Sequence, residues 1–234
     1  MKAMAPTSPQ RNDIEAVFET GTLYTGYERN LSLRLYLMVK RAVDLLGASV
    51  GLILLSPILL LVVFSIKIED PKGSVFFYQK RVGKHERQFN MYKFRSMVSD
   101  AEKQLDHLLE RNEIEGAMFK MKNDPRITKV GKWIRKTSID ELPQLWNVIR
   151  GDMSLVGPRP ALPREVQEYS SYDRLRLKVT PGCTGLWQVS GRNALSFREM
   201  VELDLHYIER RSLLLDLKLI LLTVRVMFGS SDAY

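Results

Sequence analysis

The sequence contains few of the residues and motifs that build common metal and nucleotide sites. Its only cysteine is Cys183, so neither an internal disulfide nor a cysteine zinc site can form, and a reducing compartment fits best. The three histidines, His85, His107 and His206, are too far apart in the sequence to suggest a metal triad. No Walker loop, GxGxxG, HExxH or serine-hydrolase elbow occurs. These absences count against the familiar nucleotide-binding folds and hydrolases.

The composition excludes several further classes of protein. Hydrophobic residues make up 45% of the 234 residues and charged residues 26%, which is unlike a disordered chain or a coiled coil. Too little of the chain is continuously apolar for a polytopic transporter. The sequence begins without a basic, apolar and small-residue leader, so we expect no cleaved signal peptide. The net charge of +8 calls for an anionic partner: nucleic acid, anionic lipid or a phosphorylated small molecule.

One apolar segment stands out, because residues 45–66 contain no charge. A straight helix of this length would cover about 33 Å, enough for the roughly 30 Å hydrocarbon core of a bilayer. A buried core helix, a spanning helix and a re-entrant helix are the alternatives. Pro57, after Ser56, predicts a kink in the middle. Basic residues flank both ends, whereas a spanning helix biases them to one side. Both features favour a re-entrant helix.

The remainder of the chain predicts an α+β domain that is mostly helical, with a small β element. Two short strands are predicted at 75–78 and 89–94. The segment 180–193 is predicted to be loop with at most a short strand. Helices are predicted over 99–115, from near Asp140 to 149, and over 164–178, 196–209 and 213–228. The last helix could lie amphipathically in the membrane interface or pack in a core.

The best candidates for chemistry are the adjacent acids Asp140 and Glu141. Asp140 is predicted to cap a helix, and acids are common there for structural reasons alone, so a purely structural role is the alternative. Their basic surroundings favour a site in which the carboxylates bind Mg²⁺ and the bases hold phosphates. One carboxylate could also attack a phosphoryl group. The preceding basic residues are Arg126, Lys129, Lys132, Arg135 and Lys136.

Several other charged residues are candidates for a functional site. Arg159, held between prolines in GPRP, suits a phosphate or is a solvated arginine in a tight turn. Lys93 and Arg95 would share one face of a strand. Asp204 lies in an apolar stretch, where a buried structural carboxylate and a metal or base role are equally plausible. Bases and aromatics alternate over 76–95, but they fit a sheet core and no nucleic-acid signature appears, so nucleic acid is not an expected partner.

Taken together, five motifs resemble one family, the bacterial sugar transferases, which are monotopic polyprenyl-phosphate phosphoglycosyl transferases. The likeness covers about residues 38–228. The multi-span N-terminal half of the family's large members is absent, so the chain resembles a small-form enzyme. The motifs are KRAVDLLGASVGLILLSPILLLV, YKFRSM, DPRITKVGKWIRKTSIDELPQLWNVIRGDMSLVGPRP, PGCTGLWQVSGRN and LDLHYIERRSLLLDLKLILLT. The expected organisation is a flexible extension (1–37), a re-entrant membrane helix (38–68), a catalytic domain (69–228) and a tail (229–234).

The resemblance implies transfer of sugar 1-phosphate from a UDP-sugar to polyprenyl (undecaprenyl) phosphate. The products would be a polyprenyl diphosphate sugar and UMP, in the first membrane step of a surface or exopolysaccharide pathway. It assigns the nucleophile of a covalent phosphosugar intermediate to Asp140. It assigns Glu141 to holding Mg²⁺, with Asp140, and to deprotonating the acceptor. The motif PGCTGLWQVSGRN resembles members that use UDP-galactose or UDP-glucose.

The resemblance also implies roles for other positions. Ser56 and Pro57 would break the membrane helix, so that both of its ends lie on the cytoplasmic face of the bacterial inner membrane. A homodimer and downstream glycosyltransferases are candidate partners. The alternative function is a non-catalytic, membrane-anchored scaffold of polysaccharide assembly. The candidate phosphate- or substrate-binding residues are Lys93, Arg95, Arg126, Arg135, Arg159, Arg192 and Asp204, the last with its role open.

Overall fold

A computed structural model describes residues 26–105, 108, 121, 124–190 and 195–229. This part of the chain is mostly helical, with two small sheets, as the sequence predicts. The strands are β1 (Phe76–Val82), β2 (Gln88–Phe94), β3 (Ser154–Val156) and β4 (Gly182–Thr184). The helices are α1 (Gly26–Glu69), α2 (Ala101–Leu105), α3 (Lys129–Lys136), α4 (Gln144–Arg150), α5 (Pro163–Gln167), α6 (Leu186–Ser190), α7 (Phe197–Arg210) and α8 (Leu213–Gly229).

The apolar segment lies within α1, which by length and composition could cross a membrane. The helix begins at Gly26, so residues 26–37 of the predicted extension are helical, while the rest of that extension lies outside the described residues. It is assigned as helix through Pro57, which cannot donate a hydrogen bond to the carbonyl of Ile53. The hydroxyl of Ser56 donates to that carbonyl instead, at 2.7 Å. The serine therefore replaces the missing donor, which matters most in lipid, where no water can do so.

The first half of α1 packs closely on the rest of the chain through small residues. A Cβ at Gly47 would lie 2.8 Å from the side chain of Leu155, and Ala48 is fully buried. Just before the apolar run, the guanidinium of Arg41 donates to the carbonyls of Val148 and Ile149, at 2.6 and 2.9 Å. The start of the run is therefore fixed to α4 and β3.

The second half of α1 is held as well. Val62 is fully buried in a cluster with Phe94 of β2 and Ile134 of α3. At the helix end, the carboxylate of Glu69 accepts hydrogen bonds from two N–H groups of α3, at 2.7 and 3.1 Å. The other apolar side chains of α1 are largely exposed, and Leu54 is the most exposed of them at 72%. One narrow face of the helix contacts protein and the remainder is left for lipid.

Strands β1 and β2 form an antiparallel hairpin in which Phe76 pairs with Phe94 and Val82 with Gln88. The first strand extends four residues beyond the predicted 75–78, because its end pairs with a second partner. The N–H of Val82 donates to the carbonyl of Ala161 at 2.8 Å. The hairpin therefore positions the GPRP loop that precedes Ala161.

The second sheet pairs β3 and β4 in parallel, with Ser154 opposite Gly182. The strand at 182–184 agrees with the short strand expected in the segment 180–193. The assignment of the remainder to loop is wrong, because α6 follows directly. Its apolar residues, including Leu186, are buried against Tyr207 of α7 and Leu219 of α8. That tertiary packing stabilises a helix too short to show in the sequence pattern.

The remaining predicted helices differ mainly at their ends. Helices α7 and α8 lie within two residues of the predicted spans, and Ser196 caps α7 as a capping box. The predicted helix over 164–178 is in fact α5 and a separate 3-10 turn, Asp173–Lys178. Of the helix predicted at 99–115, the described part contains α2, and most of the rest lies outside the described residues.

Candidate active site

A strained turn presents the two acids. Helix α3 ends at Lys136, and Ser138 adopts the left-handed conformation, with φ 55° and ψ 16°. This conformation is uncommon for a residue other than glycine and clusters at functional sites. Residues Ile139–Glu141 then form a 3-10 turn, and α4 begins later, after Pro143. The prediction that Asp140 caps this helix is therefore wrong, and a purely structural capping role loses its support.

Asp140 is buried, whereas its neighbour Glu141 is exposed. Burial raises the pKa of the Asp140 carboxyl to about 6, and the charge of Glu141 adds to the effect. The cations of Lys93 and Arg135 oppose this rise. At neutral pH the group is thus an ionised, poorly solvated carboxylate, which is a stronger nucleophile than one in water.

Glu141 is paired with Lys93 of β2, whose ammonium lies 2.7 Å from its carboxylate. Desolvation by the surrounding protein atoms disfavours the ionised form of Glu141. The cation of Lys93, with those of Arg159 and Arg81, outweighs that cost and holds the pKa of Glu141 below its usual range. The two adjacent acids therefore differ, since one carries a raised pKa and the other a lowered pKa. Such a separation is typical of functional carboxylates.

A buried asparagine fixes the strand of Lys93 against the helix that follows the acids. Asn147 of α4 is fully buried, and its amide donates to the carbonyl of Asn90 at 2.7 Å. Its side-chain oxygen accepts from the N–H of Tyr92 at 3.0 Å. Both contacts are to β2, immediately before Lys93. The spacing between the lysine and the acids is therefore determined by rigid elements, as a catalytic geometry requires.

Arg81 belongs to the same charged group, although the sequence analysis missed it. It is buried at the end of β1 and donates to the carbonyl of Pro160 at 3.0 Å, so it holds the GPRP loop. Burial, followed by the charge of Arg159, lowers the pKa of Arg81 to about 10. The strand was predicted to end at Tyr78, so the sequence did not place Arg81 on it, although β1 continues to Val82. The two arginines lie close enough for each charge to affect the other, with the carboxylates of Glu165 and Glu141 nearby, and a pair of guanidinium groups suits a phosphate.

Arg159 is exposed, and its guanidinium lies 5.9 Å from the ring centre of Trp187 on α6. It contributes to the pKa values of both Glu141 and Asp204, so it lies between the acids and α7. The structure therefore brings together five of the predicted residues around one point. They are Lys93, Arg135, Asp140, Glu141 and Arg159.

Two other predicted phosphate ligands have protein partners. Arg95, which was predicted to share a strand face with Lys93, lies one residue beyond the end of β2 and forms an ion pair with Asp70 at 3.2 Å. Arg126 is buried and paired with Asp124 at 2.6 Å. These pairs tie the end of α1 and the start of α3 into the fold. A structural role explains both arginines.

Asp204 is fully buried and paired with Arg176, which also donates to the hydroxyl of Tyr169 at 3.1 Å. Burial raises the pKa of Asp204 to about 6 despite its partner. Of the two interpretations left open for this residue, the contacts favour the buried structural carboxylate. Arg192 lies outside the described residues.

The two acids suit a metal ion that takes its other ligands from the substrate and from water. Within the described residues, no group of three or more His, Cys, Asp or Glu side chains could hold a metal ion. Mg²⁺ commonly takes one or two protein carboxylates and completes its shell with substrate phosphates and water. The pair Asp140 and Glu141 provides this donor set, so the residues fit Mg²⁺ carried by a diphosphate.

A cleft of about 220 Å³ opens beside Glu141. It is lined mainly by apolar side chains of α4, β3, α6 and α8, with Ser138 and Glu141 at one end. On α8, Val224 lines the cleft, and the neighbouring Leu221 is 62% exposed. The cleft therefore joins the carboxylate of Glu141 to an exposed apolar surface, an arrangement suited to a ligand with a charged head and an apolar chain.

Residues 35–230 match the family model of the bacterial sugar transferases. The chain belongs to the bacterial sugar transferase family. It is 49% identical to galactosyl transferase CpsE of Streptococcus agalactiae over 85% of this chain and 44% of that protein. It is 39% identical to UDP-galactose-lipid carrier transferase of Erwinia amylovora over 95% of this chain and 47% of that protein. These two relatives are thus about twice as long as the matched part of this bacterial sugar transferase.

A shorter relative is matched over most of its length. The chain is 42% identical to the exopolysaccharide production protein ExoY of Rhizobium meliloti, over 84% of this chain and 88% of that protein. The family resemblance inferred from the motifs is therefore confirmed over the segment that holds α1, both sheets and the paired acids.

Proposed function

We propose that this bacterial sugar transferase moves sugar 1-phosphate from a UDP-sugar to polyprenyl phosphate, with Asp140 as the nucleophile. The observation that carries the proposal is the buried carboxylate of Asp140, with a pKa raised to about 6, beside the ion pair of Glu141 and Lys93. Lys93 and Arg135 act on Asp140, and Lys93, Arg159 and Arg81 act on Glu141. Together these four cations provide the positive charge that would bind a diphosphate.

In the first step, a carboxylate oxygen of Asp140 forms a bond to the phosphorus that carries the sugar. The bond from that phosphorus to the bridging oxygen breaks, and UMP leaves with the electron pair. Arg159, Arg81 and Lys93 neutralise the negative charge of the diphosphate and of the departing UMP. The product is an acyl phosphate between Asp140 and the sugar 1-phosphate.

In the second step, an oxygen of polyprenyl phosphate attacks the same phosphorus. The acyl phosphate bond breaks, Asp140 regains its carboxylate, and a polyprenyl diphosphate sugar is formed. The lowered pKa of Glu141 makes it a weak base, so it suits holding Mg²⁺ better than deprotonating the acceptor. When bound by Asp140 and Glu141, Mg²⁺ supplies charge neutralisation at the phosphates.

The cleft beside Glu141 suits the acceptor, since it is apolar along α8 and charged at Glu141, the neighbour of Asp140. Polyprenyl phosphate has the same two parts. Relatives of this chain include an undecaprenyl-phosphate galactose phosphotransferase of Salmonella typhimurium and an undecaprenyl-phosphate glucose phosphotransferase of Komagataeibacter xylinus. These names support undecaprenyl phosphate as the acceptor and UDP-galactose or UDP-glucose as the donor.

The contacts of α1 support the re-entrant arrangement. Arg41, before the apolar run, and Glu69, after it, both contact the same domain through α4 and α3. A spanning helix would place these two residues on opposite sides of a hydrocarbon core about 30 Å thick. We infer that both ends lie on the cytoplasmic face of the bacterial inner membrane, where UDP-sugars are found.

A UMP-release assay tests the activity. The chain, reconstituted with polyprenyl phosphate and Mg²⁺, is expected to release UMP from UDP-galactose or UDP-glucose. Asp140→Asn is expected to lose this release, while Asp100→Asn, a matched change at an exposed acid in front of α2, retains it. Full activity of Asp140→Asn would contradict the assigned nucleophile. Lipid binding without turnover of any UDP-sugar would favour the scaffold alternative.

A further inference from the structure

A second cavity, of about 150 Å³, lies on the other face of β3 from the cleft at Glu141. Successive side chains of a strand point to opposite faces. Leu155 lines the cleft beside the acids, whereas its neighbours Ser154 and Val156 line the second cavity. The strand therefore separates this cavity from the candidate active site.

The second cavity is strongly basic. Five cations line it, against a single carboxylate, that of Asp44, and a further acid, Asp216, lies behind its wall. Two of the cations are engaged by the protein. The ammonium of Lys40 lies 3.0 Å from Asp216, and Arg41 donates to carbonyls of α4. These contacts anchor α1 and leave three other cations to account for.

The remaining cations are Lys84, Lys178 and Arg211, from three separate elements of the fold. Among the described residues, none of them forms a salt bridge with a carboxylate. Within the same part of the chain, Nε and Nη1 of Arg211 are buried and lack a hydrogen-bond partner. Leaving charged donors buried and unpaired is costly, so the arrangement favours a bound anion.

The position of the cavity indicates the source of this anion. Leu37 of α1 lines it, about two turns before the apolar run that begins at Leu45. Immediately after Arg211, the first turn of α8 exposes Leu213 and Leu214, the latter at 78%. A basic cavity bordered by exposed leucines at the start of a membrane helix lies where lipid phosphates meet acyl chains.

We propose that this cavity binds the phosphate of an anionic phospholipid headgroup, held by Arg211, Lys178 and Lys84. The exposed leucines of α1 and α8 would lie along the acyl chains. A bound lipid would thereby fix the part of α1 just before its apolar run and the start of α8 at one depth in the leaflet. The proposal is independent of sugar transfer, because it concerns another face of β3 and involves none of the residues around Asp140.

Native mass spectrometry of the full chain in detergent tests this site, with short-chain phosphatidylglycerol as the probe and phosphatidylcholine and inorganic phosphate in parallel. We expect binding of phosphatidylglycerol in preference to the other two. Arg211→Gln and Lys178→Gln should each weaken it about fivefold. Arg211→Lys should weaken it less, because the charge is kept. Lys80→Gln, a matched change at an exposed lysine of β1, should leave it unchanged.

Three results would overturn the proposal. The first is equal binding by Arg211→Gln and the unchanged chain, with thermal unfolding confirming that the variant is folded. The second is inorganic phosphate binding as tightly as phosphatidylglycerol, which would indicate a site for a free anion. The third is competition between UDP and the lipid, which would place the probe at the active site. None of these readouts depends on whether sugar transfer occurs.

Discussion

Asp140 occupies a position in which chemistry and stability conflict. Its burial disfavours the ionised form, and the preceding Ser138 is held in a conformation that costs free energy. Neither feature helps the chain to fold. Both are explained if the turn exists to present a reactive carboxylate to a phosphate. The conflict can be measured, because removing the charge should then stabilise the protein.

Asp140→Asn is therefore expected to lose activity and gain stability. Since folding raises the pKa of Asp140 to about 6, the carboxyl favours the folded state fully only below its unfolded pKa of about 4, and this contribution is lost as the pH rises through 6. Asparagine does not titrate. The variant should exceed the unchanged chain by up to about 3 kcal/mol at pH 8 and by little at pH 4. Thermal unfolding at the two pH values measures the difference, and a loss of stability at pH 8 would contradict it.

Lys93→Gln should change the pH dependence of UMP release. The ammonium of Lys93 lowers the pKa of Asp140, so its removal raises that pKa further. The acid side of the pH–rate profile should move from about 6 to higher pH, with a fall in rate of about a hundredfold at neutral pH. Lys80→Gln, on the neighbouring strand, is the control. An unmoved acid limb would show that Asp140 is not the titrating group.

The long helix α1 is the element on which the membrane topology depends. Its sequence predicts the apolar run and the break, but not how the break is tolerated. The hydroxyl of Ser56 satisfies the carbonyl that Pro57 leaves free, and contacts at Arg41 and Glu69 hold both ends on one domain. Those contacts join residues distant in the sequence, so no local pattern could reveal them.

Cysteine labelling tests the topology of α1. Leu35→Cys and Lys72→Cys, each in a Cys183→Ala background, lie on either side of the apolar run. An impermeant maleimide applied to inverted membrane vesicles should label both, and it should label neither in intact spheroplasts. Pro57→Leu restores the backbone donor and removes the clash with the preceding turn, so it should move part of the Leu35→Cys population to the opposite face. Labelling of the two original positions from different sides would refute the re-entrant helix.

The other elements show where sequence patterns succeed and where they fail. The periodic, well-capped α7 and α8 are predicted closely. The turn at Ser138 is not, because nothing in a serine signals a left-handed conformation. Arg176 was likewise not recognised as the partner of Asp204, since the two are brought together only by folding. The acids and Lys93 were found because their motifs are local and distinctive.

Among the described residues, large apolar side chains are exposed on several elements of the fold. They occur on α1, on the aromatic start of β1, on α8 and at Trp146 of α4. Leu145, the neighbour of Trp146, lies 3.3 Å from where a Cβ at Gly51 of α1 would be, so this tryptophan is beside the apolar run. Such surfaces indicate contact with lipid along several elements.

Fluorescence quenching tests this contact. Trp146 is 50% exposed, whereas Trp187 is buried. Brominated acyl chains should quench the tryptophan fluorescence of the reconstituted protein, and Trp146→Phe should remove a large share of that quenching. Trp187→Phe should leave the absolute loss of fluorescence on bromolipid addition nearly unchanged. If Trp146→Phe has no effect, α4 does not face lipid.

The covalent phosphosugar on Asp140 is the most direct test of the proposed chemistry. The chain, UDP-galactose or UDP-glucose and Mg²⁺ are mixed without polyprenyl phosphate, and intact-protein mass spectrometry follows the chain while UMP is measured. We expect a mass increase of one hexose phosphate, located at Asp140, with UMP released in no more than equal amount. Addition of polyprenyl phosphate should remove the adduct. Turnover with acceptor by an Asp140→Asn variant, or an adduct on another residue, would show that Asp140 is not the nucleophile.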